Sequence, residues 1–300
     1  NLDANLTAQA KVLRAYLHWR LLDLYGRIRY VDENGTSAQL SRSAGFARIE
    51  GEILSALGVA SVSAAMDLSG SALITGDVKY RINQFAALGI LAKLYLNAEV
   101  YTGTARWQEA HDAADYIISN GSYRLSDSSV SVPNPSKRPA VSTDAESLTG
   151  YAAVFSPANY DNPEIIWSVE YDEATAGGMN FHQMSLHYAS QFTYLFQDQP
   201  WNGYSALEEF YNSYEDGDAR KEANFIIGAQ TDFGGSVVVD LASDTQDPAI
   251  NYSTSINELE PNAGRTDGAR LGKFSFKNFA RPDLDNDYPI VRLGDVYLMR

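Results

Sequence analysis

Residues 81–125, RINQFAALGILAKLYLNAEVYTGTARWQEAHDAADYIISNGSYRL, read as two helices packed back to back and closed by a glycine and an aromatic-aliphatic anchor. The first is expected from about Arg81 to Tyr101 and is apolar nearly all round. Ile82, Phe85, Gly89, Ala92 and Leu96 form one stripe, and Ala87, Leu91, Leu94 and Ala98 a second. A helix apolar on two faces is a buried helix. Ala86, Gly89 and Ala92 leave room for a close neighbour. Thr104 is placed to cap the second helix. Trp107, Ala110, Ala114 and Ile117 follow at helical spacing, and Gly121 suits a left-handed residue that ends a helix. Such a hairpin cannot bury its own apolar faces, so the fold it predicts is a tetratricopeptide-like scaffold of stacked hairpins.

Outward from this stretch the same helical grammar holds toward the N-terminus. Leu6, Ala10, Leu13, Leu17, Leu21 and Leu24 repeat at four-three spacing and predict a first helix with an apolar stripe, stopped by Gly26. Residues 32–45 read as a polar loop, and Phe46, Ile49, Ile53, Leu57 and Ala60 as a second helix. A polar loop at 67–79 leads into the hairpin. Toward the C-terminus the pattern stops. Residues 126–150 carry three prolines and many Ser and Thr, an irregular excursion. Ile165–Tyr171 and Val237–Leu241 read as strands, 205–216 as a helix around Leu207, Phe210, Tyr211 and Tyr214, and 243–270 as an exposed loop. The chain is therefore expected to be mostly α, a single domain with three parts. These are a helical hairpin scaffold over 1–125, an inserted loop-rich lobe with short strands over 126–286, and the start of a further scaffold helix over 287–300. That last helix opens at Leu293 and has no cap before Arg300, so the chain is read as cut there.

Composition narrows the function. The chain has 300 residues, 45% of them apolar, enough for a sizeable core. A net charge of −15 leaves no basic face to neutralise a phosphate backbone, which argues against nucleic acid. The longest apolar run, Phe85 to Ala92, falls far short of the ~20 residues that span a bilayer. No signal peptide is present, and with no cysteine there is no disulfide, thiol catalysis or thiolate metal site.

Several segments, taken in order, resemble the SusD/RagB family, the surface nutrient-binding lipoproteins of Bacteroidota. The family's R-x-N-x-x-A-A stretch stands here as Arg81–Ala87, its W-x-x-A helix as Trp107–Ala110, and its S-x-G-x-Y-x-L phrase as Ser119–Leu125. LRAYLHWRLLDLYG at 13–26 resembles its first strong helix and NPEIIWSVEY at 162–171 its E-I-I-W strand. FYNSYEDGDARKEANF at 210–225 resembles its D-x-R stretch, and DYPIVRLGDVYLM at 287–299 its P-I-x-R-x-x-D-V-x-L-M helix entry. The resemblance implies a SusD-like α/α superhelix truncated at both ends. It also implies a lipid-anchored protein of the outer-membrane surface, held by an N-terminal lipid that this chain lacks. It implies capture of an oligosaccharide, less often a peptide, and delivery to a SusC-like TonB-dependent transporter. No reaction and no cofactor are implied.

The residues point the same way. Between Tyr151 and Tyr214 aromatic side chains stand at about twice the 12% density of the whole chain, with His182, Gln183, His187, Gln191, Gln197, Gln199 and Asn202 among them. Sugars present apolar C–H faces to rings and hydroxyls to amides, so this mixture fits a glycan platform. Any one ring can instead build the core of a loop-rich lobe, and Trp167, in the presumed strand, is assigned there. The candidate ligand-binding residues are Trp201, Asn202 and Tyr204 of the PWNGY turn, with Tyr194, Phe196 and Gln199 before it. Asp283, Asp285 and Asp287 have the one-three-five spacing of a calcium loop, but Tyr288 and Gly294 stand where an EF-hand needs glycine and glutamate, so a solvated turn is expected, with an irregular calcium site as the alternative. Asp216-Gly217-Asp218 with Arg220 is read as a buried structural ion pair.

Catalytic signals are poor. No G-x-S-x-G, G-x-G-x-x-G or H-E-x-x-H motif occurs, and paired carboxylates in so acidic a chain carry no weight for glycosidase chemistry. His182 and His187 are five apart, off one helical face, and no metal site is expected. Two rival readings stay open: a helical glycoside hydrolase or polysaccharide lyase, and a tetratricopeptide-type scaffold that binds peptides.

Overall fold

A computed structural model of the chain describes residues 3–31, 33–76, 80–127, 129, 132–134, 146–244, 248–256, 259 and 263–300. In chain order the elements are α1 (Ala4–Tyr25), β1 (Ile28–Val31), β2 (Ser37–Leu40), α2 (Arg42–Leu57), α3 (Gln84–Leu96), α4 (Ala98–Thr102) and α5 (Trp107–Asn120). There follow β3 (Val132–Asn134), β4 (Glu146–Leu148), α6 (Gly150–Val154), β5 (Ile165–Val169), α7 (Phe181–Ser185), α8 (Ser190–Tyr194), α9 (Glu208–Asn212) and α10 (Ala219–Asn224). The last are β6 (Phe225–Ile226), β7 (Gly228–Ala229), β8 (Asn251–Tyr252), β9 (Arg270–Leu271), β10 (Tyr288–Arg292) and α11 (Leu293–Met299). These fall into two compact units, one of residues 1–125, 163–168 and 289–300, the other of 126–162 and 169–288. The lobe expected over 126–286 thus gives up 163–168 to the helical unit.

In the helical unit α1 packs on α2, α3 on α5, and α11 on α5 and α3. Asp3 caps α1 by accepting N–H bonds from Asn5 and Leu6, and Gly26 closes it at φ 69°. The buried face of α1 is Ala8, Val12, Ala15, Trp19 and Leu22. This corrects the expected stripe, because Leu6, Leu13, Leu17, Leu21 and Leu24 are exposed. The helix is apolar on two sides, and the side with small residues wins because it lets α2 approach. A Cβ on Gly45 of α2 would stand 3.1 Å from Leu22 Cδ1. The polar loop expected at 32–45 instead holds the second strand of a hairpin and the start of α2, with Ile28 opposite Leu40 and Val31 opposite Ser37. Asn34-Gly35 at its tip is a strong hairpin signal.

The decisive hairpin is present with three changes. The first helix breaks at Asn97 into α3 and α4, its side chain donating to Lys93 O at 3.1 Å. The second starts after Arg106 with no side-chain cap, and Thr104 instead bonds back to Thr102 Oγ1 through its own N–H at 3.1 Å. Gly121 is extended (φ −79°), not left-handed. It must be small because a Cβ would meet Ile117 O at 2.7 Å and Tyr123 Cδ2 at 2.8 Å. The asparagine of the R-x-N-x-x-A-A stretch has a clear role. Asn83 caps α3 by accepting from Ala86 N–H (2.8 Å) and donates to Gly76 O (3.1 Å) and Tyr123 Oη (2.9 Å). α3 is buried nearly all round, as expected, but Gly89 faces the strand residue Val291 and not a helix. Strands β5 and β10 pair, and Ile166, Trp167, Ile290 and Val291 join the helical core. Among the described residues no helix is long and apolar enough to cross a membrane.

The second unit is built from short helices and two-stranded sheets, β3 with β4, β6 with β9 and β7 with β8. Val237–Leu241 is not a strand but makes isolated bridges, Thr231 with Val237 and Val239 with Ala249. The helix expected over 205–216 is confined to α9. The loop expected to be exposed over 243–270 carries β8 and reaches β9, with Ile250, Tyr252 and Arg270 buried; residues 245–247, 257–258 and 260–262 of it lie outside the described residues, as do 135–145 of the 126–150 excursion. The core here is aromatic: Tyr194, Phe196 and Phe276 have ring centroids 5.0–5.4 Å apart, and His182 lies over Phe276 at 5.4 Å.

The three aspartates before Pro289 are neither a calcium loop nor a solvated turn. Their carboxylates clamp one loop. Asp283 accepts from Gly178 N–H (2.7 Å), Asp285 from Glu173 N–H (2.9 Å) and Asp287 from Tyr171 N–H (3.2 Å). The pair of Asp218 with Arg220 is also corrected. It is local and exposed, and Asp218 caps α10 by accepting from Arg220 N–H at 2.9 Å.

Candidate functional site

The PWNGY turn is held by backbone bonds to one short helix. Trp201 N–H donates to Gln183 O (2.7 Å), Gly203 N–H to Met184 O (2.7 Å) and Asn202 N–H to Leu186 O (2.9 Å). Three consecutive amides spent this way leave the turn little freedom. Asn202 takes φ 53°, a conformation that asparagine tolerates better than most residues. Gly203 is required by close approach, since a Cβ would stand 3.0 Å from Met184 O. The result is a fixed backbone with its rings outward: Trp201 is 51% exposed and Tyr204 37%.

Of the candidate residues, the structure brings Asn202 and Tyr204 to one cleft and leaves Trp201 exposed beside Asn202 in the turn. Gln199 is exposed just before the turn. Tyr194 and Phe196 are a correction. Both rings are buried in the aromatic core with Phe276, where no ligand can lie flat on them, because a loop-rich lobe with few aliphatics fills its interior with rings.

The cleft has a volume of about 360 Å³, and its lining includes Asn202, Tyr204, Leu207, Leu259, Arg265, Asp267 and Arg270. Arg270 organises it. Its Nη1 donates to Ser185 O (3.2 Å) and Tyr204 O (3.3 Å), and its Nη2 to Arg265 O, so one guanidinium ties together the end of α7, the aromatic turn and the opposite wall. Its face lies over Tyr252, 5.0 Å from the ring centroid. Arg265 Nε donates to Asp240 Oδ2 at 2.8 Å. Burial opposes the charge on Asp240, but the bonds from Arg265 and Ala242 N–H outweigh it and hold the carboxyl below its usual range. Sequence reasoning missed both arginines because the polar composition of 243–270 hid a buried strand; the alternation of charge and glycine in RTDGARLGK was their only signal.

Beneath the turn lies His182, 1% exposed, its Nε2 3.2 Å from Arg281 O; burial pushes its pKa down to about 4, so it is a neutral core residue. The nearest approach to a nucleophile–base–acid constellation is Ser190, Tyr252, His187 and Asp240. Ser190 Oγ bonds Tyr252 Oη (2.7 Å), not the imidazole, whose Nε2 is 3.4 Å from Asp240 Oδ1 and out of line for a hydrogen bond. All four are buried. Among the described residues no group of three or more His, Asp or Glu side chains is arranged to hold a metal.

A second cavity, about 430 Å³ in the helical unit, is lined by Lys11, Arg14, Glu33, Arg48 and Glu52. Its arginines are neutralised. Arg14 pairs with Glu52 (2.6 Å) and Glu33 (2.7 Å), and Arg48 with Glu52 (3.0 Å). No exposed ring lines it. It is an ion network tying α1 to α2.

No protein-family model matches the chain, and no curated protein does. Solved structures do share its fold. The surface glycan-binding protein A of Bacteroides thetaiotaomicron, in complex with laminarihexaose, matches with TM-score 0.62 and 16% identity over 99% of this chain and 56% of that one. A SusD-like carbohydrate binding protein from Bacteroides vulgatus matches at 0.56 and 19%, over 99% of this chain and 50% of that one. A SusD superfamily protein from Bacteroides fragilis matches at 0.53 and 18%, over 97% and 53%. The chain therefore has the SusD-like fold and spans about half the length of these structures. Identities this low carry the fold and no residue-by-residue correspondence.

Proposed function

We propose that this chain, SusD-like in fold, is the ligand-capturing part of a cell-surface glycan-binding protein, and that it binds an oligosaccharide at the Trp201–Tyr204 turn and the cleft beside it. One observation carries the reading: a backbone pinned by three amide bonds presents two exposed rings next to an amide and a polar cleft. A turn whose backbone is already fixed loses little entropy when a sugar face settles on its ring, and a nearby amide and guanidinium supply hydrogen bonds to hydroxyls. The laminarihexaose bound by a protein of the same fold supports this class of ligand. The mechanism is binding and release, with no bond made or broken. The captured chain passes to a SusC-like TonB-dependent transporter in the outer membrane, to whose surface the whole protein is anchored by lipid.

The test is retardation of the protein in gels that contain one polysaccharide each, for wild type and for Trp201→Ala with Tyr204→Ala. A retarding glycan is expected, retardation should vanish in the double variant, and prolonged incubation should leave the chain length of that glycan unchanged. Release of reducing ends in proportion to protein would make the protein an enzyme and overturn the reading. Recovery of one outer-membrane barrel with the native protein in mild detergent tests the transport step; its absence would leave a free-standing lectin.

A further inference from the structure

Arg270 is 3% exposed and lines the cleft, yet among the described residues no carboxylate pairs with it. A guanidinium has five N–H donors. Three hydrogen bonds go to the carbonyl oxygens of Ser185, Tyr204 and Arg265, and among the described residues Nε has no partner. Carbonyl dipoles ease a buried cation but do not cancel its charge, and leaving one unpaired is costly. Acids are not scarce: the chain has 38 Asp and Glu against 23 Lys and Arg. Arg265, at the same cleft, does have its acid in Asp240. The one described carboxylate in the lining, Asp267, accepts Gly264 N–H at 2.8 Å and makes no ion pair. Burial pulls the Arg270 guanidinium below its ordinary pKa, opposed by the attraction of Tyr252 and Asp267. A cation with no carboxylate partner among the described residues therefore stands in a cleft lined also by Tyr204 and by Asn202, whose buried Oδ1 has no partner among them either.

We propose that the cleft selects an anionic oligosaccharide, carboxylated or sulfated, over its neutral counterpart, with Arg270 as the counter-charge. The inference rests on the glycan-binding reading and names its substrate class. Planar carboxylate and tripodal sulfate both present paired oxygens to a guanidinium. A ring over Tyr204 and a hydroxyl on Asn202 would orient the charged group.

The experiment is a glycan array carrying neutral, carboxylated and sulfated chains, probed with the intact 300-residue protein. It is followed by calorimetric titration of each charged hit beside its carboxyl-reduced or desulfated form. The charged form is expected to bind about tenfold or more tightly, the equivalent of one good charge-assisted contact. Asp267→Asn, which removes the nearby repulsion and keeps an acceptor for Gly264, should tighten the charged probe about threefold relative to its neutral form. Arg270→Lys should lose the preference, with scanning fluorimetry showing whether it stays folded; the Asp267 variant decides the matter if it does not. The carboxylated and sulfated arms identify which anion is meant. Hits confined to neutral chains, or equal binding of the paired forms, overturn this inference and leave glycan binding standing. An array with no hit overturns both.

Discussion

Gly89 sits mid-helix in α3, where a Cβ would meet Val291 Cγ1 at 2.4 Å, Cγ2 at 3.1 Å and Cβ at 3.3 Å. All three atoms belong to a fully buried, β-branched stub with no flexible end to swing away. Gly89→Ala must therefore force α3 and β10 apart, an overpacking cost of about 1–3 kcal/mol. Alanine returns about 1 kcal/mol of helix propensity, so the net loss should be about 1 kcal/mol. Val291→Ala removes two methyl groups, about 1.6 kcal/mol of burial, and leaves a cavity that brings the loss to about 2–3 kcal/mol. In the double variant the new methyl enters the space the valine vacates, and the helix keeps its alanine. The combined loss should then be about 1–2 kcal/mol, less than the sum by about 2 kcal/mol. Urea denaturation of the four proteins, followed by intrinsic fluorescence, completes the cycle. Losses that add to within about 0.5 kcal/mol would mean that the two residues do not touch, and the seating of β10 on the helical unit would be wrong.

Asn83→Ala removes a helix cap and two further hydrogen bonds and should lower stability by about 2 kcal/mol in the same assay. Trp201→Ala should cost about 1–3 kcal/mol of glycan affinity with melting unchanged, whereas Tyr194→Ala should cost about 3–5 kcal/mol of stability because its ring is core; the opposite pattern would exchange their roles. His182 should make stability fall on acidification. Its folded pKa of about 4 lies below the ordinary 6.5, so unfolded chains take up the proton first. The contribution is fully present above pH 6.5 and is lost as pH drops toward 4, about 3 kcal/mol in all. A His182→Phe protein should lack that step in a pH series of melting curves, and an unchanged profile would refute the assignment. Breaking the 2.8 Å pair of Arg292 with buried Glu164 by Arg292→Met should cost about 2–4 kcal/mol, read by urea denaturation.

The scaffold was legible because α3 is apolar in every direction, a pattern that only a buried helix satisfies. Faces were harder. On α1 the leucines form the more conspicuous stripe, but the buried face is that of Ala8, Val12 and Ala15, whose small side chains let α2 approach. Caps failed where other contacts intervened, as when Tyr123 filled the space above Gly121. In the lobe, composition told that rings were abundant but not which way they faced. Trp201 differs from Tyr194 only through backbone bonds to residues 183–186, which no local pattern encodes. The arginines of the cleft were illegible for a similar reason: burial of Arg270 depends on carbonyls from three separated segments.

The most direct test of the account is a crystal structure of the protein soaked with a glycan that retards it. Electron density for a sugar ring lying flat on Trp201 or Tyr204, with a hydroxyl on Asn202, is the predicted result. Density bound elsewhere, with both rings bare, would contradict it.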